Sequence, residues 1–261
     1  MLELKNIYKT YNAGTVNEHR LFSDFNLKVS SGQFVSVVGS NGSGKTSMLN
    51  LICGSMNPDK GNIYIDNGKE KIDLTTVKEY KRHKFIGRVY QNPAKGTCPS
   101  MTILENMAIA DNKGTAYGIK PCIKKSRVEY YVEQLKTIGL DLESKLDIKV
   151  GSLSGGQRQC LAMLMCTMNP IDFLILDEHT AALDPKTERI VMEMTESIVK
   201  SKGVTTLMVT HNLRDALRYG DRILMMNSGE FILDKEGEEK KQLDTDYIME
   251  IFNNISVEKG N

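Results

Sequence analysis

Eight residues, Gly39-Ser40-Asn41-Gly42-Ser43-Gly44-Lys45-Thr46, separate an apolar run from a helical pattern and constrain the fold more than any other stretch. Ahead of them Phe34, Val35, Val37 and Val38 surround a single Ser36, the composition of a strand buried on both faces of a parallel sheet. The loop reads G-x-x-x-x-G-K-T. Its glycines, Gly39, Gly42 and Gly44, let backbone amides turn inward without a Cβ clash and form a concave nest of N–H donors for a polyphosphate. Lys45 adds a point charge for β- and γ-phosphates, and Thr46 offers its hydroxyl to Mg²⁺. A helix predicted over 45–53 directs its positive end at the same anion. A glycine-rich turn that binds nothing would leave the coincidence of strand, complete motif and helix unexplained.

The charge balance excludes one large class of partner. With 34 basic and 33 acidic residues the net charge is +1, so no polyelectrolyte partner and no nucleic acid is expected. A chain of 261 residues, 40% hydrophobic and 26% charged, has room for one large or two small globular domains. Five cysteines, odd in number and without C-x-x-C spacing, read as reduced thiols and not as a disulfide framework or zinc site. The segment Met1-Leu2-Glu3-Leu4-Lys5 lacks a basic-then-apolar leader pattern, and no run approaches 18 apolar residues. Any work at a membrane would need a separate membrane subunit.

Strands are expected at 2–4 and at 25–29, where Phe25, Leu27 and Val29 alternate. The polar stretch from Asn12 to Arg20 between them is longer than a hairpin needs. Tyr11, just before it, reads from chemistry alone as an edge packing residue, with stacking on a base as the alternative. Gly54 fits the left-handed cap of the first helix, a turn at 57–61 leads into a strand at 63–65, and another strand is expected at 86–90. Residues 66–84, with Lys78, Lys81, Arg82 and Lys84, read as a solvated loop and helix face. From about 96 to 168 the texture becomes helical. Pro121 stands where a helix can start, and Val128, Tyr131, Val132, Leu135 and Ile138 follow at helical spacing before Gly139. No repeat period is present, so this stretch reads as a helical subdomain inserted into a single α/β core.

Three further constellations carry chemistry. Leu153-Ser154-Gly155-Gly156-Gln157-Arg158-Gln159 places Ser154 and Gln157 in capping-box relation, so a helix should run to about Met168. Two glycines in its first turn cost about 1 kcal/mol each relative to alanine. They make sense where something approaches the backbone closely, and an anion at the helix N-terminus is the physical candidate. In Ile171-Asp172-Phe173-Leu174-Ile175-Leu176-Asp177-Glu178, four apolar residues describe a buried strand with two carboxylates at its C-terminal end, where ligands bind in open α/β sheets. Asp177 can hold Mg²⁺ and Glu178 can polarise an attacking water as general base. Left alone, the two buried carboxylates would repel, so the pair argues for a metal or solvent access. Finally, strand 204–209 ends at Thr210-His211, with Asn212 and Asp215 placed to cap the next helix. His211 thus reaches the same sheet edge, either as a structural residue or as a donor to a γ-phosphate. A strand at 223–226 and a helical tail over 243–255 complete the pattern.

The ordered set resembles the ATP-binding subunit of ABC transporters: loop 39–46, Gln91 before Asn92-Pro93, LSGGQRQ at 153–159, ILDE at 175–178, AALD at 181–184 and TH at 210–211. The resemblance implies an α/β P-loop NTPase cassette with a mostly parallel sheet and an antiparallel β subdomain. It implies a core of 1–95 and 169–240, a helical insertion at 96–168 and a C-terminal tail at 241–261. It further implies a head-to-tail homodimer that holds two ATP with Mg²⁺. Each site would combine Gly39, Ser40, Asn41, Gly42, Ser43, Gly44, Lys45, Thr46 and Ser47 of one chain with Ser154, Gly155 and Gly156 of the other. By the same resemblance Tyr11 stacks on adenine, Gln91, Thr46 and Asp177 hold Mg²⁺, Glu178 is the general base, Asp184 contacts across the dimer, and His211 senses the γ-phosphate. Lys45 and Gln91 join the catalytic set. His179 departs from the proline usual in the family and adds a titratable group beside the base.

GTCPSMTILENMAIA at 96–110 and DEHTAALDPKT look most like the ATPases of small-solute uptake systems of the tryptophan/tyrosine kind. The long loop after Tyr11 also resembles ATPases of lipoprotein-release and macrolide-type exporters. The resemblance therefore implies an ATP hydrolase peripheral to the cytoplasmic face of a plasma membrane. Its partners would be a membrane permease and an extracytoplasmic solute-binding protein. A soluble ABC ATPase acting on ribosomes or chromosomes fits less well, since the chain has one cassette and no sustained heptads.

Overall fold

The computed structural model describes residues 1–114 and 121–258, and it divides into two compact units. One comprises Met1–Ile86, Asp172–Ile175 and Gly203–Asn261, the other Gly87–Ile171 and Leu176–Lys202.

The chain opens with an antiparallel hairpin of β1 (Leu2–Tyr11) and β2 (His19–Val29), in which Leu2 faces Val29 and Tyr11 faces His19. Both strands outrun the segments that alternation alone marks. The register shifts between Leu4 and Ile7 and again between Ile7 and Lys9, where Asn6 and Asp24 adopt φ of +50° and +59°. Such bulges break the period of two, and Asn and Asp tolerate the left-handed conformation they need. β3 (Phe34–Gly39) is buried throughout, and its one polar side chain is satisfied because the Ser36 hydroxyl donates to the Tyr219 carbonyl at 3.1 Å. α1 (Lys45–Cys53) follows and ends at Gly54.

β4 (Lys60–Asp66), β5 (Lys71–Asp73), the single turn α2 (Glu79–Arg82) and β6 (Ile86–Val89) come next. Here the solvated reading of 66–84 holds for Lys78, Lys81 and Lys84, which are exposed, and fails for Arg82. Arg82 is fully buried and donates to the carbonyls of Leu51, Ile52, Thr75 and Val77 at 2.7–3.2 Å. Two of those acceptors lie in the last turn of α1, whose carbonyls have no partner within the helix and carry its negative end. Burial lowers the guanidinium's pKa, and its hydrogen bonds make the burial tolerable.

In the second unit α3 (Ile103–Asp111) starts at a capping box formed by Thr102 and Glu105. α4 (Lys125–Lys136) starts four residues after Pro121 and not at the proline; between them the Cys122 carbonyl accepts from Asn112 Nδ2 at 3.0 Å. Its buried side chains, Tyr131 and Leu135, together with Ile138 beyond its end, follow the expected stripe. α5 (Gly155–Thr167) carries the expected capping box between Ser154 and Gln157. β7 (Phe173–Asp177) belongs to the first unit through Ile175, and α6 (Pro185–Lys202) lies in the second. The chain returns to the first unit with β8 (Thr205–Val209), α7 (Leu213–Arg218), β9 (Arg222–Asn227), β10 (Glu230–Glu236), α8 (Gly237–Lys241) and α9 (Thr245–Glu258).

One sheet has the order β2-β1-β4-β5, with each neighbouring pair antiparallel. The other has the order β10-β9-β3-β8-β7-β6, in which β3 runs parallel to β8 and β9, and β9 pairs antiparallel with β10. The first unit's main core gathers Leu2, Ile7, Phe22, Val35, Val37, Met48, Leu49, Ile52, Phe173 and Leu207 around α1. A separate cluster in the second unit centres on Met107, Tyr131, Leu135, Leu161 and Leu164. Among the described residues no disulfide joins any of the five cysteines. Among the described residues no helix is long and apolar enough to cross a membrane.

Candidate functional site

The first unit positions the phosphate loop, Tyr11 and His211. At the end of β3, a Cβ on Gly39 would lie 2.3 Å from the Met226 carbonyl, so close packing against β9 admits only glycine. Gly42 has open space beside it and owes its identity to its φ of +78°. Lys45, first residue of α1 and 5% exposed, donates from Nζ to the carbonyls of Gly39 at 2.7 Å and Ser40 at 2.9 Å. The lysine therefore folds over its own loop. Ser43 Oγ is buried in that loop without a hydrogen-bond partner, and Asn41, Gly42 and Thr46 face solvent. A buried orphan hydroxyl, a buried cation and a helix N-terminus are features that an oxyanion-rich ligand would satisfy.

Tyr11 is half-buried at the end of β1 and its ring packs on the main core. Its hydroxyl lies 2.9 Å from Ser47 Oγ, in the first turn of α1, so two residues implied by resemblance are brought together. His211 is exposed just beyond β8. The Thr210 amide donates to the Val37 carbonyl at 3.2 Å, which ties the end of β8 to the strand that feeds the phosphate loop. Asn212 accepts from the amides of Arg214 and Asp215 and caps α7 as expected, while Asp215 sits in the first turn.

The second unit positions Gln91, Ser154 to Gly156, Asp177, Glu178 and Asp184. Asp177, at the end of β7, is bound by Arg88 on β6: Nη2 lies 2.6 Å from Oδ2, and the side chains are 8% and 19% exposed. The Asp177-Glu178 pair called for a metal or solvent access; here an arginine compensates Asp177, and both carboxylates keep partial exposure. Glu178 is half-buried at φ +48°, a left-handed conformation uncommon outside glycine. Gln91 is exposed. The carbonyl of Tyr90, just before it, accepts from the buried Gln159 Nε2 at 3.1 Å, which anchors the Gln91 loop to α5.

His179 is 2% exposed, and its Nε2 lies 3.2 Å from Thr195 Oγ1 on α6. That hydroxyl donates to the Val191 carbonyl at 2.7 Å, so it must accept from the imidazole and fixes the Nε2–H tautomer. Burial pushes the imidazole down to about 4. His179 is consequently a neutral strut at physiological pH and adds no titrating group near neutrality. Asp184 is exposed and its Oδ1 accepts from the amides of Lys186 and Thr187 at 3.2 and 3.1 Å, which caps α6. Hydrogen bonds from Thr187 hold its carboxyl below the usual range.

The double glycine of α5 needs a second explanation beside the anion. A Cβ on Gly156 would lie 2.0 Å from Thr187 Cγ2, so α6 itself requires glycine there, whereas Gly155 would meet only Leu183 at an ordinary 3.5 Å.

A profile of the family described as ABC transporter matches residues 22–181. A tyrosine transport ATP-binding protein of Clostridioides difficile (strain R20291) is 44% identical over 254 residues, covering 97% of this chain and 98% of that protein. A spermidine/putrescine import ATP-binding protein of Haemophilus influenzae is 34% identical over 90% of this chain, which spans 57% of that longer relative. Among solved structures, the dimeric post-hydrolysis state of an ATP-binding cassette bound to ADP and Pi superposes with a TM-score of 0.74 at 32% identity, covering 90% of this chain and 98% of that one. Fold and matches define an α/β ATP-binding cassette. The chain belongs to the ABC transporter family, as an ATP-hydrolysing subunit.

Arg88 and Thr195 are functional-site neighbours that the sequence pattern does not single out, and Gln159 closes the LSGGQRQ motif without the motif indicating its contact to the Tyr90 carbonyl. The only signals of these contacts are a charge inside an apolar strand and polar residues on helix faces that pattern marks as buried.

Proposed function

We propose that the chain powers uptake of a small solute, an aromatic amino acid such as tyrosine or tryptophan, through a separate membrane permease supplied by an extracytoplasmic solute-binding protein. The end-to-end 44% identity to a tyrosine transport ATP-binding protein is the observation that carries the solute assignment. The chain is read as a single cassette at the cytoplasmic membrane face, with 96–168 as its helical insertion and two chains closing head to tail on two ATP.

Each composite site would take the loop Gly39 to Thr46 and Ser47 from one chain and Ser154, Gly155 and Gly156 from the other. Tyr11 would lie under the adenine, with its hydroxyl already fixed by Ser47. When the phosphates arrive, Lys45 exchanges two loop carbonyls for phosphate oxygens, so its charge is unmasked at the moment of binding. Glu178 takes the proton of the attacking water, His211 donates to the γ-phosphate, and Asp184 reaches the neighbouring chain from its helix-capping position. Thr46, Gln91 and Asp177 have the hard oxygen donors that suit Mg²⁺, which would neutralise charge developing on the phosphates.

The test is to solubilise membranes gently, capture the tagged chain and identify what copurifies by mass spectrometry. A multi-span permease together with a secreted solute-binding protein is the expected result, and the binding protein can then be screened for tyrosine and tryptophan. A permease with a large extracytoplasmic domain and no binding protein would favour the exporter reading. Ribosomal or chromosomal partners would overturn transport altogether.

A further inference from the structure

Asp177, the carboxylate assigned above to Mg²⁺, already holds a cation of the protein's own. Arg88 Nη2 sits 2.6 Å from Oδ2, and Arg88 Cζ lies 4.8 Å from the centroid of the Tyr90 ring, which backs the guanidinium from β6's own continuation. Both partners are largely removed from water, at 8% and 19% exposure, so the charges are weakly screened. A carboxylate in such a place cannot stay uncompensated, and a second cation cannot approach the same carboxylate without repulsion from the guanidinium.

We propose that Arg88 is a positioning residue that serves as the counter-ion of Asp177 whenever no divalent cation is there, so that guanidinium and Mg²⁺ compete for one carboxylate. The inference rests on the metal role given to Asp177 under the proposed function. Competition has two consequences. Arg88 raises the Mg²⁺ concentration needed to load the site, because the incoming ion must displace or share the guanidinium. It also lowers the repulsion between Asp177 and metal-free nucleotide, because the carboxylate never presents a bare negative charge to the phosphates. Nucleotide binding thereby becomes less dependent on Mg²⁺ than an isolated carboxylate would make it.

The experiment is equilibrium binding of a fluorescent mant-ADP to the full chain, in EDTA and across a Mg²⁺ titration. Arg88→Gln, which removes the charge and keeps a hydrogen-bond donor, should bind metal-free mant-ADP several-fold more weakly and reach half-saturation at about tenfold lower Mg²⁺. Arg88→Lys keeps the charge and should stay near the wild type on both measures. A Mg²⁺ midpoint in Arg88→Gln equal to that of the wild type, or a shift shared by Arg88→Lys, would overturn the proposal.

Asp177→Asn separates the two levels. It should abolish the gain in affinity that Mg²⁺ brings, and a full gain would sink both the metal role of Asp177 and the inference. Loss of the gain in Asp177→Asn with no shift in Arg88→Gln would sink the inference alone. Should Arg88→Gln fail to fold, the claim is read on the wild-type protein by nitrogen-15 NMR of the guanidinium, assigned with Arg88→Lys. Mg²⁺ with ADP should change the hindered rotation of Arg88 that ADP in EDTA leaves in place. An unchanged resonance would contradict competition.

Discussion

His179 and Thr195 form a buried pair, Nε2 to Oγ1 at 3.2 Å, that joins the turn after Glu178 to the middle of α6. The pair makes acid stability a probe of this turn. Because burial holds the folded imidazole at about 4, below its ordinary 6.5, the unfolded chain takes up a proton first as pH falls. This contribution to stability is constant above about pH 6.5 and declines toward pH 4, amounting to about 2 kcal/mol by pH 5. Urea denaturation at pH 7.5 and 5 should show the wild type losing that much more than His179→Gln. Equal losses would mean that His179 titrates normally and is not the buried strut described.

Gly156 and Thr187 supply a second test, on stability and not on activity. Gly156→Ala places a Cβ 2.0 Å from Thr187 Cγ2, and overpacking of this kind costs about 1–3 kcal/mol, only partly offset by alanine's better helix propensity. Thr187→Ser deletes the offending methyl, so the double variant should recover most of the loss. A Gly156→Ala chain as stable as wild type would show that α5 and α6 do not pack as observed.

Tyr11 distinguishes ring from hydroxyl. Tyr11→Phe removes a hydrogen bond to Ser47 worth about 1 kcal/mol of stability and should leave nucleotide affinity nearly unchanged. Tyr11→Ala removes the ring, and stacking of a base on an aromatic is worth about 1–3 kcal/mol, so ATP should bind roughly 5- to 150-fold more weakly. An adenine-independent triphosphate analogue should show no such difference, and a Tyr11→Ala protein with wild-type ATP affinity would return Tyr11 to a packing role.

How much is legible in the sequence depends on how far apart the interacting residues lie. The strand-loop-helix around residues 39–46, the Ser154-Gln157 capping box and the Asn212 cap are read correctly because each is decided within a few residues of backbone. The bulges of β1 defeat alternation because one extra residue reverses the inward face. Arg82 stands in a basic stretch, and nothing local says that the last turn of α1, some thirty positions earlier, needs its donors. Arg88 and Asp177 are 89 positions apart, so the sequence shows two carboxylates that call for a metal or solvent access without showing the arginine that meets one of them. At Gly156 the sequence offers only the ligand as a reason for glycine, because the second reason, Thr187, lies 31 positions further along the chain.

Glu178, half-buried at φ +48° and next in sequence to Asp177, is proposed above as the base of an ATPase closed across two chains. The most direct measurement is ATP turnover of Glu178→Gln, with light scattering to read its mass in the presence of ATP. ATP should bind, hydrolysis should fall by at least about 10²-fold, and a dimer should persist. Hydrolysis at the wild-type rate, with the chain monomeric throughout, would contradict it.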